Sequence, residues 1–166
     1  MKFTTLQKRL AVSSLLLVTI TLAILIGGLF YSRSWERALF IEPITKVESD
    51  EKVIALTFDD GPSDVRTPAL LEVLEEQDVA ATFFMLGKNI EDHPEIARRV
   101  YDSGHLIGNH SYDHPRFFLK SFGFTEDQIL ETDRLIRSLG QEEIRYFRAP
   151  YSFSYIVLPL VLNNLG

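Results

Sequence analysis

Two carboxylates stand side by side at Asp59-Asp60, and two imidazoles stand four residues apart at His110 and His114. One carboxylate with two neutral imidazoles is a common ligand set for a catalytic divalent ion, such as Zn²⁺, that keeps open coordination positions. Within a single helical turn, side chains at i and i+4 lie together, so His110-Ser111-Tyr112-Asp113-His114 can close on one ion. Pro115 stops any longer helix and pushes His114 toward extended geometry. Two carboxylates brought close repel each other unless a cation or an arginine lies beside them. The sequence offers both, the second as Arg148 in Arg148-Ala149-Pro150-Tyr151. An arginine there can pair with one aspartate and fix it, while Pro150 stiffens the turn that presents the Tyr151 backbone N–H. Each motif also has a plainer reading: a capped turn at Asp-Asp-Gly-Pro, a surface histidine pair, a surface arginine and a buried tyrosine. His93, before a helix proline, and His105, opening a strand, read as structural residues rather than ligands.

These residues need elements that carry them to one place. Val53-Ile54-Ala55-Leu56 is an apolar, β-branched run that reads as a buried strand leading into Thr57-Phe58-Asp59-Asp60, with Gly61-Pro62 turning the chain. Thr67-Pro68 reads as the N-cap and first position of a helix with Leu70, Leu71 and Leu74 on one stripe. Residues 80–86 read as a second buried strand. Pro94 opens a helix that buries Ile96, Ala97, Val100 and Tyr101 and stops at Gly104. Leu106-Ile107-Gly108 is a short third strand. Thr125-Glu126-Asp127-Gln128 has the form of a capping box, followed by a helix burying Ile129, Ile136 and Leu139. Ile144-Arg145-Tyr146-Phe147 reads as a fourth strand, and residues 156–165 as a helix interrupted near Pro159. Strand and helix alternate over short connections, the pattern of a parallel α/β sheet or barrel. Asp59 and Asp60, His110 and His114, and Arg148 and Tyr151 each follow a strand. In such folds the strand ends share the face that carries the site.

At 166 residues the chain is long enough for one domain with a sizeable core. It has no cysteine, so disulfides, thiolate metal sites and a cysteine nucleophile are excluded. Residues 1–37 carry Lys2, Lys8, Arg9, Arg33 and Arg37 against Glu36, a net of +4, so the remainder of a chain of net charge −6 carries −10. An acidic globular part argues against nucleic acid as the partner, because phosphate binding needs a basic face. No charged residue occurs from Leu10 to Tyr31. A helix over that stretch is about 33 Å long at roughly 1.5 Å per residue, which matches a hydrocarbon core of about 30 Å. The basic excess ahead of it favours a cytoplasmic N-terminus with the domain outside, and Tyr31 and Trp35 suit the far headgroup region. A cleaved signal peptide competes, but its apolar part is usually shorter and ends at small residues, whereas Gly27-Gly28 here leads into Leu-Phe-Tyr. The expected organisation is therefore 1–37 as cytoplasmic tail, transmembrane anchor and flank, 38–52 as linker, and 53–166 as the catalytic part, on a single-pass protein facing outside the cytoplasm.

Thr57-Phe58-Asp59-Asp60-Gly61-Pro62, His110-Ser111-Tyr112-Asp113-His114 and Arg148-Ala149-Pro150-Tyr151 together resemble the first three motifs of the NodB-type polysaccharide deacetylases, carbohydrate esterase family four. The flanking Ala81-Thr82-Phe83-Phe84 and Gly104-His105-Leu106-Ile107-Gly108-Asn109 are similar to that family as well. The resemblance implies an α/β fold, a partial distorted (β/α) barrel of NodB type behind the N-terminal transmembrane helix. It also implies a divalent-metal hydrolase, with Zn²⁺ or a similar ion such as Co²⁺, that removes N-acetyl groups from amino-sugar polymers such as peptidoglycan or a chitin-like glycan. By position, Asp60, His110 and His114 would hold the metal, Asp59 would be the general base, Arg148 would orient it, and the Tyr151 backbone N–H would bind the oxyanion. Two departures accompany the matches. Ser152 stands where the family usually has Gly. The family's two later motifs, a Trp/Asp pair and a Leu-x-His whose histidine is the general acid, have no counterpart after His114, so the resemblance implies truncation after the third motif. The alternative function is then a non-catalytic, membrane-anchored glycan-binding remnant. Phe117, Phe118, Phe122 and Phe124 could stack on sugar rings, but packing against the core is the favoured reading.

Overall fold

Three short parallel strands carry the chemistry-bearing loops. In the computed structural model, which describes residues 4–32 (side chains to residue 28), 41–152 and 155–166, they are β1 (Thr57–Gly61), β2 (Thr82–Met85) and β3 (Leu106–Asn109), in the order β1-β2-β3. Among the described residues six α-helices accompany them: α1 (Thr5–Ser32), α2 (Arg66–Glu76), α3 (Gly87–Asp92), α4 (Pro94–Asp102), α5 (Phe122–Ser138) and α6 (Val157–Leu165). The ladder pairs Thr57 with Thr82 and Thr82 with Leu106, so equivalent strand ends lie level. One core gathers Leu71 and Leu74 of α2, Phe83 and Met85 of β2, Ile90, Val100, Ile107, and Leu135 and Ile136 of α5. Fully burying an aliphatic side chain stabilises by roughly 1.5–3 kcal/mol, and this cluster fixes the sheet against α2, α4 and α5. A second cluster joins Phe117, Ile129, Leu158 and Val161 and seats α6 on α5. Phe117 is thus a core residue, as the packing reading has it, whereas Phe118 and Phe122 are 42% and 43% exposed and depart from that reading.

Several expectations need correction. Val53 to Leu56 is not a buried strand: Ile54 is 92% exposed, and pairing starts at Thr57, which is opposite the first residue of β2. An apolar run forms a strand only where a neighbour supplies the ladder, and β2 begins too late to reach residues 53–55. Thr67 is not an N-cap. It lies inside α2, buried, and its Oγ1 accepts the Ser63 N–H at 2.9 Å. Thr125 does not open α5; Ser121 does, its side chain accepting the Phe124 N–H. Ile144 to Phe147 makes only a single parallel bridge, between Phe147 and Asn109, because the Gln141 side chain already takes the Ile107 N–H and carbonyl that a longer ladder on β3 would use. Pro159 does not interrupt α6. It sits in the first turn, where a helix N–H has no partner to lose.

The helix α1 contains a stretch, Thr5–Gly28, of mean hydropathy 2.5, long and apolar enough to cross a membrane and not buried against the rest of the chain. The side chain of Tyr31, and Arg33, Trp35, Glu36 and Arg37, lie outside the described residues, as does Lys2.

Candidate metal centre

A bulge brings the two neighbouring carboxylates to one site. Along a regular strand, successive side chains point to opposite faces. In β1 the register steps from Asp59 opposite Phe84 to Gly61 opposite Met85, leaving Asp60 as the extra residue. Asp60 takes a left-handed backbone (φ 68°), its carbonyl accepts the Asn89 side-chain N–H at 2.8 Å, and the Gly61-Pro62 bond that follows is cis. A bulged strand re-aims a side chain in this way.

Asp60 faces the histidines. Its Oδ1 lies 3.4 Å from His110 Nε2 and 3.3 Å from His114 Nε2. Those spacings are long for hydrogen bonds. They do match the separation, about 3.3 Å, of two ligand atoms each about 2.0–2.1 Å from one ion at a tetrahedral angle. One donor atom from each of the three residues lies within 4.8 Å of the others. Side-chain exposure is 3% for His110, 25% for His114 and 66% for Asp60, so the cluster opens on one side only. His110 Nδ1 lies 2.7 Å from the Arg148 carbonyl oxygen. A carbonyl only accepts, so Nδ1 carries the proton and Nε2 presents its lone pair toward Asp60. Burial holds the His110 imidazole below its usual range, opposed by the Arg148 carbonyl and the two aspartates. A neutral ring is the form a cation requires. The donor set therefore fits a small divalent ion of the Zn²⁺ type.

Asp59 turns the other way. Its Oδ1 lies 2.6 Å from Arg148 Nη1, the same nitrogen that donates to Thr57 Oγ1 at 3.0 Å. The guanidinium lies 4.0 Å over the Phe84 ring. Three contacts thus hold the arginine in one plane, and it holds Asp59 in turn. Tyr151 lies in a 3₁₀ turn over residues 150–152 with φ 58°. Its exposed ring meets His114 edge-on at 4.6 Å, and the Arg116 guanidinium stacks on it at 4.6 Å. The Tyr151 backbone N–H has no hydrogen-bond partner among the described residues.

The structure thus brings Asp59, Asp60, His110, His114, Arg148 and Tyr151 together. His93 lies between α3 and α4, and His105 is buried, its Nδ1 accepting the Ala81 N–H at 3.3 Å. Sequence reasoning assigned no role to the residues that hold these in place. Thr57 and Phe84 brace Arg148, Asn89 holds the bulge, and Asn109 ties β3 to α5 by donating to the Ile129 carbonyl at 2.9 Å and to Asp133 at 2.7 Å. Asn109 immediately precedes His110, and that adjacency was the available signal. Gln128 was visible only as part of the false capping box.

Comparison with known proteins agrees with the motif pattern. The family described as polysaccharide deacetylase matches residues 46–166. The peptidoglycan-N-acetylglucosamine deacetylase of Bacillus cereus is 39% identical over 112 residues, 68% of this chain and 39% of that protein. A chitooligosaccharide deacetylase of Azorhizobium caulinodans is 35% identical over 122 residues, 73% of this chain and 58% of that one. The solved family 4 carbohydrate esterase from Streptomyces lividans superposes with a TM-score of 0.64 at 33% identity, over 68% of this chain and 58% of that chain. The chain thus spans between about two-fifths and three-fifths of the length of these relatives. Since the matched region runs unbroken through the bulged carboxylate pair, the histidine loop and the arginine turn, this chain belongs to the polysaccharide deacetylase family.

Proposed function

We propose that this protein is a divalent-cation-dependent N-deacetylase of amino-sugar polymers, peptidoglycan or a chitin-like glycan. The observation that carries the reading is the division of labour between adjacent carboxylates: Asp60 faces two imidazoles and Asp59 faces an arginine. Asp60, His110 and His114 would hold the cation, and one oxygen with two nitrogen donors fits Zn²⁺, with Co²⁺ a substitute. A divalent ion bound there would lower the pKa of water and polarise an amide carbonyl, which neutral water attacks poorly. Asp59, left outside the ligand set, takes the proton of the attacking water. Arg148 keeps that carboxylate aimed. The Tyr151 N–H donates to the oxygen that gains charge as the carbonyl carbon becomes tetrahedral, a contact worth about 2.7–4 kcal/mol of barrier in comparable sites. The C–N bond then breaks as the nitrogen takes up the proton that Asp59 holds and leaves as an amine, which restores the Asp59 carboxylate, and acetate is the second product.

The relatives named for peptidoglycan and chitooligosaccharides support the substrate class. In this reading residues 53–166 form the N-terminal part of the deacetylase domain, with β1 to β3 as part of a distorted (β/α) barrel. Residues 38–52 are a linker, and 1–37 are a tail, an anchor through a membrane and its flank, holding the site outside the cytoplasm against an N-acetylated wall or matrix glycan. The test is acetate release from N-acetylglucosamine oligomers and from peptidoglycan, with Zn²⁺ or Co²⁺ supplied and then withdrawn by a chelator. Release that stops with chelator and returns with metal supports the reading. Glycan affinity without acetate release identifies a binding module instead, and metal-independent release overturns the ligand assignment.

A further inference from the structure

The loop that presents the two histidines does not hold its own shape. Ser111 and His114 both have left-handed backbones, φ 70° and 59°, which non-glycine residues adopt only when their surroundings impose it. No regular element covers residues 110–114, so the loop's backbone groups find partners elsewhere. The His110 N–H donates to Met85 O at 3.0 Å, and Ser111 O and Tyr112 O accept from the N–H groups of Gly87 and Lys88 at 3.0 and 2.9 Å. The Ser111 N–H donates to Asn109 Oδ1 at 2.7 Å. The next two N–H groups, of Tyr112 and Asp113, both donate to a single atom, Gln128 Oε1, at 3.1 Å each.

We propose that Gln128 is a positioning residue for the cation: by accepting two consecutive N–H groups of the histidine loop, it fixes the distance between the His110 and His114 ligand atoms. This inference rests on the proposed cation site. Gln128 hydrogen-bonds to the loop backbone and to neither ligand ring. It stands on α5, which is anchored independently, through Leu135 and Ile136 in the main core and Ile129 in the second. The helix therefore acts as a rigid reference for a strained loop. Two further contacts keep α5 at the right height. Asp133 accepts from Asn109 at 2.7 Å. The Thr132 hydroxyl lies where a Cβ on Gly87 would meet it at 2.6 Å, with the Tyr112 ring at 2.7 Å. The start of α3, the histidine loop and α5 are thus packed so closely that only glycine fits between them. One amide oxygen taking two N–H groups from successive residues ties the segment between the histidines to α5 at two adjacent points.

The test compares two replacements of one side chain. Gln128→Met has similar length and no strong acceptor; Gln128→Glu keeps the accepting oxygen. Affinity for Zn²⁺ and Co²⁺ is measured by competition with a chromophoric chelator, well below each variant's melting temperature, together with the visible absorption of the Co²⁺ form. Removing a group that orients metal ligands typically weakens affinity about 10- to 100-fold. Gln128→Met is expected to lose that much and to change the Co²⁺ spectrum, whereas Gln128→Glu stays within about threefold and keeps the spectrum. A helix residue of purely structural importance would lower the melting temperature of both variants and leave the spectrum alone. Should Gln128→Met not fold, Gln128→Ser, which leaves room for water on the two N–H groups, carries the same expectation. Equal affinity and an identical spectrum in wild type and Gln128→Met overturn the positioning role alone. A folded wild type that binds neither ion overturns the proposed function beneath it.

Discussion

Arg148 Nη1 lies 2.6 Å from Asp59 Oδ1, although the two residues are 89 positions apart in the chain. Both side chains are about one-third exposed, so the pair contributes little to stability as an exposed ion pair. Its consequence is geometric. Arg148 is itself held by Thr57 and by the face of Phe84, and the aspartate inherits that rigidity. In the proposed deacetylation, with Asp59 as the proposed base, Arg148→Met is expected to lower kcat about 100-fold, the usual cost of misplacing a reacting group by about 1 Å. Arg148→Lys should recover only part of this, since an ammonium cannot stack its plane on Phe84 while reaching Asp59. Cation affinity should hold to within a few-fold in both, because His110 is fixed by the backbone carbonyl of residue 148, which either variant keeps. Acetate-release kinetics with a cation titration measure this, and a wild-type kcat in Arg148→Met removes the orienting role.

The Phe84 ring has its own support in Gly108, its partner across the ladder. A Cβ added at Gly108 would come within 2.6 Å of two Phe84 ring carbons and 3.3 Å of the Tyr146 carbonyl. Gly108→Ala should therefore destabilise the protein by about 1–3 kcal/mol, the range for overpacking a filled interior, and should also depress kcat by tilting the surface on which Arg148 lies. Gly123, in the first turn of α5, has nothing within 4 Å of the same added atom. Gly123→Ala should leave kcat alone and raise stability by about 0.4–1 kcal/mol through the unfolded chain. Urea unfolding of the two variants separates the cases, and equal midpoints would mean that Phe84 yields without cost.

What the sequence made legible here was residue chemistry, and what it concealed was how the chain is held. The Asp-Asp, His-x-x-x-His and Arg-Ala-Pro-Tyr clusters could be read because their side chains make chemical sense in isolation and because parallel strands deliver their loops to one face. The bulge at Asp60 could not, since it depends on β1 slipping by one residue against β2. Val53 to Leu56 misled for a related reason: hydrophobicity marks what could be buried, but pairing decides what becomes a strand. Thr125 and Gln128 fit a capping box in the sequence, yet Ser121 caps the helix one turn earlier. That frees Gln128 to face the histidine loop, a partner 15 and 16 residues upstream that no local rule connects to it. Helix α3 went unseen because Gly87–Asp92 is only six residues long and has no apolar repeat.

The first helix makes a prediction of its own. Across Thr5–Gly28 none of the segment is buried, and the hydroxyls of Thr19 and Thr21 donate back to Leu15, Leu16 and Leu17 carbonyls. Its hydroxyl hydrogens at those positions are thus satisfied within the helix, as a hydrocarbon surrounding demands. The full chain should stay with the membrane fraction through alkaline carbonate extraction. Leu17→Arg, near the middle of the segment, should weaken insertion by about 2.5–3.5 kcal/mol and move protein to the supernatant. A wild-type chain that washes off freely is not anchored by this helix.

His105 gives the fold a dependence on acid that is separate from the proposed cation site. The ring is buried at the start of β3, and its Nδ1 must be unprotonated to accept the Ala81 N–H, which ties β3 to the entry of β2. Burial holds its pKa below the ordinary 6.5. The unfolded chain therefore takes up this proton more readily than the folded one as pH falls through the ordinary value. The contribution is fully present above about pH 6.5, declines below it, and is lost as pH falls through the lower folded value. His110, shifted in the same direction by burial, adds to the same slope in metal-free protein. Urea midpoints taken at pH 7.5 and 5.5 with chelator present should differ clearly in the wild type. In His105→Gln, whose side chain does not titrate, the difference should shrink while the midpoint at pH 7.5 also drops. An unchanged pH difference in that variant would assign the whole acid response to His110 and to the carboxylates, and would leave His105 as packing alone.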